Sequence, residues 1–225
     1  MSRPSTVDRR RFLGASLLGL AGAGTACAGT SGAPDPAPAR PPTPPEIEGP
    51  FYPVHAQQDR DFDLTRIEGR DDVALGRQVW VGGRVVDQDG TPVEGAVVDI
   101  WQANAAGRYR HPEDPSDAPL DAAFQGWAIV RSGAEGGFRF KTIVPGAYPA
   151  SADWDRPPHI HFKVSKRGFV ELVTQMYFPG EPLNEIDRLL LRKTPEERGA
   201  MIARRAEPGA DGLEVLDYVI VLERV

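Results

Sequence analysis

The sequence contains a single cysteine, Cys27, among its 225 residues, so no disulfide can form within the chain. It also has no long hydrophobic run, because the apolar stretch that ends at Ala26 is too short to span a bilayer comfortably. Positive charge is scarce: 26 Lys and Arg stand against 32 Asp and Glu, for a net charge of −6. An acidic chain without a basic run offers no electrostatic footprint for nucleic acid. We therefore expect no nucleic-acid partner.

The first residues have the pattern of an export signal. Arg9-Arg10-Arg11 precede Phe12-Leu13 and a run of small and apolar residues, which resembles a twin-arginine signal, the kind that exports folded proteins. We predict a signal peptide over residues 1–27 and a periplasmic, membrane-anchored or extracellular protein. Cys27 follows Gly24-Thr25-Ala26, which fits either a lipoprotein site or ordinary cleavage. A lipidated Cys27 would tether the protein to a membrane.

The remainder divides into a tether and one domain. Residues 28–46 consist mainly of Ala, Pro, Gly, Ser and Thr, a composition typical of an extended linker. We predict that residues 47–225 form a single domain.

Short β-rich runs dominate this domain, each bounded by Gly, Pro, Asp or Asn, and many short strands of this kind favour a β-sandwich or a barrel. The turn between the first two runs predicts a hairpin. Thr194 to Arg205 is the one helical pattern, with Thr194 and Glu197 at capping positions, and it predicts an accessory C-terminal helix. The predicted strands are residues 79–87, 96–101, 126–131, 137–143, 159–165, 170–178 and 215–223.

Two of the four histidines stand two residues apart, at His159 and His161. In a β-strand alternate side chains point to the same face, so both imidazoles can reach one metal ion. Pro157 and Pro158 cannot donate to a sheet ladder and favour the start of a strand. Alone, however, the pair equally describes a strand with two ordinary polar side chains.

Two tyrosines, Tyr109 and Tyr148, each follow a predicted strand, where loops commonly carry catalytic groups. Each could instead close an edge of the core. A phenol with a pKa of about 10 binds a metal as phenolate only if the ion is a strong Lewis acid. Zinc sites favour Cys, His and carboxylate ligands, and Ca²⁺ or Mg²⁺ favours carboxylates. Two His and two Tyr together therefore indicate Fe(III) with an open position for substrate.

Four segments carry a resemblance to the intradiol ring-cleavage dioxygenases, above all to the iron-bearing beta subunits of the protocatechuate-cleaving branch. The resemblance extends from about Gly82 to Leu222, and the positions that match the family's four iron ligands hold the right residue types. It implies a sandwich: a mostly-β fold of short, mainly antiparallel strands with long loops. The segments are Asp99-Ile100-Trp101-Gln102-Ala103-Asn104 with Gly107-Arg108-Tyr109, Pro145-Gly146-Ala147-Tyr148-Pro149, Arg156-Pro157-Pro158-His159-Ile160-His161-Phe162, and Thr174-Gln175-Met176-Tyr177-Phe178.

The same resemblance implies the ligands of the Fe(III) cofactor. Tyr109 and His161 would be equatorial, and Tyr148 and His159 axial. The substrate would be a catechol-type ring, and O₂ would be inserted between its two hydroxyl-bearing carbons to give a cis,cis-muconate-type diacid in aromatic catabolism. Tyr148 would leave the metal when substrate arrives and take up a proton.

The resemblance also implies catalytic roles beyond the ligands. Arg156 would stabilise negative charge on the reacting ring, and Gln175 would order the pocket. His55 and His111 match no ligand position, and Ala150 stands where protocatechuate-cleaving relatives have Trp. We expect an oligomer.

One alternative belongs to a different class of protein. Val85 to Ala96 also resembles the hairpins of transthyretin-like or adhesin-like sandwiches, which would make the chain a non-enzymatic binding module on a surface tether. The hairpin is common to both hypotheses, whereas the two tyrosines and two histidines are expected only in the enzyme.

Overall fold

The computed structural model describes residues 39–225, so the predicted signal peptide, Cys27 and most of the predicted tether lie outside the described residues. Within this part of the chain, short strands predominate and the helix α1 spans Pro195–Met201. Two 3₁₀ turns, Pro182–Glu185 and Leu190–Arg192, precede α1. None of the helices in residues 39–225 is long and apolar enough to cross a membrane. The strands are β1 Gln78–Asp87, β2 Val97–Trp101, β3 Trp127–Arg131, β4 Gly137–Ile143, β5 Tyr148–Ser151, β6 Trp154–Arg156, β7 His159–Ser165, β8 Leu172–Tyr177, β9 Arg204–Ala206, β10 Glu214–Asp217 and β11 Ile220–Leu222.

Two sheets form the sandwich. In the first, the long strand β1 pairs antiparallel with β4 and parallel with β10 and β11, and β9 extends β10. In the second, the order is β3-β2-β7-β8, with every pair antiparallel. Aromatic side chains join the two sheets, since Phe138 and Phe140 of β4 each lie 6.1 Å, ring centre to ring centre, from Phe162 of β7. The predicted mostly-β, mainly antiparallel sandwich is confirmed.

Strand β7 separates the core from the site by alternation. Ile160, Phe162 and Val164 belong to the apolar core between the sheets. His159 and His161 point to the opposite face, as residues of odd position in the same strand must. That face is covered as well, because both imidazoles are buried.

The predicted hairpin between β1 and β2 is wrong, because the two strands belong to different sheets. The chain does reverse after β1, and Val93 N–H donates to Val85 O. It then leaves that sheet, and Gly95 N–H donates to Ser132 O just beyond β3. A turn signal fixes the local reversal, but the sheet that the next strand joins depends on distant partners.

The C-terminal elements also differ in detail from the prediction. The capping box forms as predicted: Thr194 Oγ1 accepts from Glu197 N–H, and Glu197 Oε2 accepts from Thr194 N–H. However, α1 ends at Met201, because Ala203 N–H donates to Tyr177 O and the next residues pair with β10 as strand β9. The predicted strand 215–223 is two strands, β10 and β11.

The last residues assigned to the tether lie against the folded domain. Thr43 N–H donates to Val221 O of β11, and its Oγ1 accepts from Val221 N–H. Glu46 N–H donates to Val173 O of β8. The ordered domain therefore begins before the predicted boundary at residue 47, since Pro and Thr in this stretch pack and bond where composition alone suggests an extended linker.

Candidate metal centre

Two loops bring the tyrosines to the outer face of β7. Asn104 shapes the loop after β2, because its Oδ1 accepts from the N–H groups of Ala106 and Arg108. The second loop, before β5, packs directly on it: a Cβ built on Gly107 would lie 2.3 Å from Ala147 O. Gly107 has a φ of +79°, a conformation that suits glycine. This backbone contact fixes the position of Tyr109 relative to that of Tyr148.

The four predicted ligand side chains converge. Tyr109 Oη lies 3.1 Å from His161 Nε2, which lies 3.2 Å from His159 Nε2. His159 Nε2 is in turn 3.5 Å from Tyr148 Oη. Tyr109 and both histidines are buried, and Tyr148 is half-buried. Two phenol oxygens and two imidazole nitrogens from three separate segments thus face one point at the edge of the domain.

The hydrogen bonding of His159 determines which of its ring nitrogens is free. Its Nδ1 lies 2.6 Å from Pro157 O, and because a carbonyl can only accept, Nδ1 must carry the proton. Its Nε2 then carries no proton, and it lies within 3.5 Å of both His161 Nε2 and Tyr148 Oη. His161 Nδ1 is buried without a partner among the described residues. Such a pair of nitrogens is arranged for a shared cation.

The protonation states agree with this arrangement. Burial lowers the pKa of His159 well below its usual value, and burial together with Arg156 lowers the pKa of His161 to about 3. Both imidazoles are therefore neutral at pH 7 and able to bind a metal. Burial also raises the pKa of Tyr109 and of Tyr148, so only a strongly charged cation would convert them to phenolates.

Arg156 lies beside these ligands with almost no exposure, at 3%. Its Nε donates to Asp187 Oδ2 at 2.8 Å, and its Nη2 donates to Gln175 Oε1 at 2.6 Å and to Tyr177 Oη at 3.1 Å. Gln175 is fully buried, and its amide also donates to Ile47 O at 3.0 Å. Gln175 thus links Arg156 to the chain before β1, from a position beside His161 in the β7–β8 register.

Aromatic rings and one glycine close the surroundings. Trp101 lies opposite His161 in the β2–β7 register and stacks on its ring, with centres 4.8 Å apart. Phe51 packs on Tyr109 at 4.9 Å. A Cβ on Gly49 would lie 3.4 Å from His161 Cε1, so the backbone covers this imidazole closely. These contacts keep water from the rings of Tyr109 and His161.

Two histidines lie outside this cluster of ligand rings, and three residues that contribute to the site were not predicted. His55 is exposed and His111 is partly exposed, and neither takes part in the cluster of ligand rings. Sequence reasoning missed Asp187, Tyr177 and Gly49. Tyr177 stands within a quoted motif and alternates with Gln175 in β8, which could have indicated a shared face. Nothing local in the sequence marks Asp187, because its partner is 31 residues away.

The donor set fits a ferric ion. Among residues 39–225, no group of three or more His, Cys, Asp and Glu side chains could hold a metal. The two phenols are therefore needed to complete a four-ligand site with the two imidazoles, and phenolate ligation requires a strong Lewis acid. The fold and the site together define the class: a β-sandwich enzyme with a two-His, two-Tyr donor set, as the motifs predict for intradiol ring-cleavage dioxygenases.

Comparison with known proteins gives the family. The family model Dioxygenase_C, described as Dioxygenase, matches residues 47–223, and the chain belongs to this family of intradiol dioxygenases. It is 46% identical over 162 residues to the protocatechuate 3,4-dioxygenase beta chain of Burkholderia cepacia, covering 68% of each chain. It is 38% identical over 128 residues to 6-chlorohydroxyquinol 1,2-dioxygenase of Cupriavidus pinatubonensis, covering 51% of this chain and 44% of that protein. The chain thus spans about two thirds of the first relative and less than half of the second.

Solved structures agree with the assignment. The dioxygenase domain of a dioxygenase carbohydrate-binding protein fusion from Streptomyces sp. SirexAA-E superposes with a TM-score of 0.62 at 29% identity, covering 82% of this chain and all of that one. Hydroxyquinol 1,2-dioxygenase from Pseudomonas putida DLL-E4 has a TM-score of 0.66 at 24% identity, covering 83% and 68%, and supports the fold. Family membership favours an enzyme over the alternative of a surface binding module.

Proposed function

We propose that the protein is a non-haem Fe(III) dioxygenase that cleaves a catechol-type ring between its two hydroxyl-bearing carbons, giving a cis,cis-muconate-type diacid. The observation that carries the proposal is the convergence of Tyr109, Tyr148, His159 and His161, whose phenol oxygens and Nε2 atoms form a chain of contacts of 3.1 to 3.5 Å. Bound iron would supply a Lewis acid that favours the doubly deprotonated catechol and accepts charge from it, which prepares the ring for O₂.

The four ligands differ in how firmly the fold holds them. His159 is fixed by its bond to Pro157 O, His161 by its stack on Trp101, and Tyr109 by the packing of Phe51. Tyr148 is only half-buried, at the start of the two-stranded β5–β6 ribbon. Tyr148 is therefore the ligand best able to leave its place when substrate arrives, and its Oη would accept a proton from a substrate hydroxyl.

Arg156 supplies a fixed positive charge beside the reacting ring. A guanidinium held in a nearly dry position stabilises negative charge that develops on a bound aromatic more strongly than one in water. Gln175 and Tyr177 both accept hydrogen bonds from Arg156, and Tyr177 also donates to Gln175. These bonds limit the rotation of the guanidinium.

The names of the relatives and the residue at position 150 support a substrate class. The similar proteins are named for protocatechuate, 6-chlorohydroxyquinol and catechol, which all have adjacent ring hydroxyls. Ala150 is exposed where protocatechuate-cleaving relatives have Trp. A small side chain at this position leaves room for a ring substituent, so we propose a substituted catechol and O₂ as the substrates.

An oxygen-uptake panel across substituted catechols tests this function, together with metal analysis of the purified protein. We expect stoichiometric iron, a visible phenolate-to-Fe(III) charge-transfer band, and uptake of one O₂ per ring with formation of a muconate-type diacid. A colourless protein with stoichiometric zinc and no iron would contradict the proposal.

We also propose export through the twin-arginine-type signal, with Cys27 as a candidate lipid attachment site, and assembly into an oligomer. Iron is bound by residues as far apart as Tyr109 and His161, so it is best loaded after folding and before export. Replacing Arg9 and Arg10 together by Lys should leave active, uncleaved enzyme in the cytoplasm. Normal export of this variant would indicate a general secretory route.

A further inference from the structure

Asp187 lies between the two 3₁₀ turns, and both oxygens of its fully buried carboxylate are occupied. Oδ1 accepts from the backbone N–H groups of Leu189 at 3.1 Å and Leu190 at 2.8 Å. Oδ2 accepts from Arg156 Nε at 2.8 Å. One oxygen thus ties the carboxylate to the backbone of its own segment, and the other binds the guanidinium. A carboxylate held by two backbone donors is a rigid partner for an arginine.

The contacts of Arg156 leave one donor group free. Nε is bonded to Asp187, and Nη2 is bonded to Gln175 and Tyr177. Nη1 makes no hydrogen bond with residues 39–225, and it is not fully buried. It is therefore the donor that remains accessible. Because the guanidinium is planar, fixing Nε and Nη2 also fixes the direction of Nη1.

We propose that Asp187 is a positioning residue for ring cleavage, which holds Arg156 so that Nη1 faces the bound ring. This inference rests on the proposed function. Asp187 is the only carboxylate in the described chain that forms an ion pair with Arg156. Without it a buried cation would lose its counterion, and an unpaired buried charge turns toward water or becomes costly to keep. Asp187 therefore contributes to activity without touching the substrate.

The chain provides a matched control in Asp87, at the end of β1. Its carboxylate is also fully buried, and its Oδ1 accepts from the backbone N–H groups of Asp89 at 3.0 Å and Thr91 at 2.8 Å. Its Oδ2 accepts from both Nε and Nη2 of Arg224. Each carboxylate thus binds two backbone N–H groups through one oxygen and an arginine through the other, but Arg224 is largely exposed, and only Asp187 binds a buried arginine beside the metal ligands.

The central experiment compares Asp187→Asn with Asp87→Asn. In each variant the amide –NH₂ must face a donor, so both should lose thermal stability. Only Asp187→Asn should lose kcat/KM for the best catechol, by roughly ten- to a hundredfold, which is less than removal of a direct transition-state donor costs. Its iron content and visible band should stay near those of the wild type. Equal activity in Asp187→Asn and wild type, or an equal loss in Asp87→Asn, would overturn the inference.

A double variant tests whether Asp187 acts through Arg156. In the Arg156→Gln background the guanidinium is already absent, so adding Asp187→Asn should change kcat/KM by less than about threefold. The second substitution also removes the charge of the Asp187 carboxylate, which has no counterion in that background. If Asp187→Asn lowers the activity of Arg156→Gln as much as that of the wild type, Asp187 acts by another route. If Asp187→Asn alone does not fold, Asp187→Glu replaces it, since it keeps the charge but displaces the guanidinium. Wild-type kcat in Asp187→Glu would then overturn the inference.

A third measurement needs no turnover. In metal-free protein, free of paramagnetic iron, the Arg156 Nε–H resonance should exchange slowly with water, and it should lose this protection in Asp187→Asn but keep it in Asp87→Asn. Equal protection in Asp187→Asn would show that another acceptor holds Arg156. A wild-type protein that cleaves no catechol would instead refute the proposed function, so the two failures are distinct.

Discussion

His161 and His159 occupy the same face of one strand, yet the fold secures them in different ways. His159 has a backbone carbonyl on its second ring nitrogen, whereas the second nitrogen of His161 has no partner within the described chain. The ring of His161 is held by Trp101 and by the close approach of Gly49 instead. The orientation of one imidazole therefore depends on hydrogen bonding and that of the other on packing.

We expect His161→Ala to lose most bound iron and the visible band, because it removes a neutral imidazole from a four-ligand site. Metal analysis and absorption spectroscopy of purified protein measure both losses. His55→Ala is the control, since His55 is exposed and is not one of the four converging side chains. Full iron and colour in His161→Ala would show that this residue is not a ligand.

Tyr148→Phe should behave differently, because Tyr148 is the half-buried ligand that is proposed to leave and to accept a proton. We expect substantial iron, a shifted visible band, and a kcat that is roughly a hundredfold lower, in the range of a lost general base. Stopped-flow and steady-state measurements on the iron-loaded variant give these values. A wild-type kcat would contradict the proton-acceptor role.

At the scale of residues, the sequence predicted which four side chains come together, because strand alternation and short motifs are local signals. The alternation of β7 places His159 and His161 on one face, and short motifs identify Tyr109 and Tyr148. Asp187 could not be predicted in this way. It is an ordinary acidic residue until tertiary packing brings it to Arg156 and excludes water from both.

At the scale of elements, the site depends on the contact between the loop after β2 and the loop before β5. Gly107 and Gly146 allow the two backbones to meet: a Cβ on Gly146 would lie 2.5 Å from Gly107 N. Gly146 N–H also donates to Asn104 O. Each loop carries one tyrosine, so the separation of the two phenols is determined by backbone packing.

Gly107→Ala should therefore separate the tyrosines. The new Cβ would meet Ala147 O at 2.3 Å, and the loops must move apart. We expect iron affinity to fall roughly tenfold or more, as for other changes that displace ligands, measured by competition with a chelator. Gly69→Ala is the matched control, since Gly69 has the same φ of +79° but no atom within 4 Å of its Cβ. It should lose about 1–2 kcal/mol of stability from backbone strain alone and bind iron normally.

The elements also show where prediction from sequence ends. The strands β1 and β7 and the cap of α1 follow from periodicity and capping residues, which are local signals. The partner of β2, the end of α1 and the short strand β9 do not, because each is determined by bonds to distant segments, such as that from Ala203 N–H to Tyr177 O. A pattern read within ten residues does not contain that information.

At the scale of the whole molecule, the stretch from Arg40 to Glu46 joins both sheets. Arg40 N–H donates to Gln88 O after β1, Thr43 bonds to β11, and Thr174 Oγ1 of β8 donates to Pro44 O. Composition alone predicts a linker here, since a stretch rich in Pro and Thr gives no indication of which residues it packs against. The backbone of a proline-rich stretch can still accept hydrogen bonds from ordered neighbours.

A chain that starts at Ile47 should accordingly be less stable than one that starts at Ala39. The shorter chain loses these hydrogen bonds, each worth about 0.5–1.5 kcal/mol, so we expect a total loss of about 2–5 kcal/mol and a lower Tm. Denaturant unfolding of both metal-free chains measures the difference. Equal midpoints would mean that the stretch contributes no net stability.

The same stretch has a mechanical consequence. Gly49 lies against His161 and Ile47 O accepts from Gln175, and the stretch from Arg40 to Glu46 leads directly into these residues. A pull on the amino end would first load the hydrogen bonds at Arg40, Thr43 and Glu46, which would have to break before Gly49 moved. These hydrogen bonds would therefore protect the geometry around His161 from a force applied to the amino end of the chain.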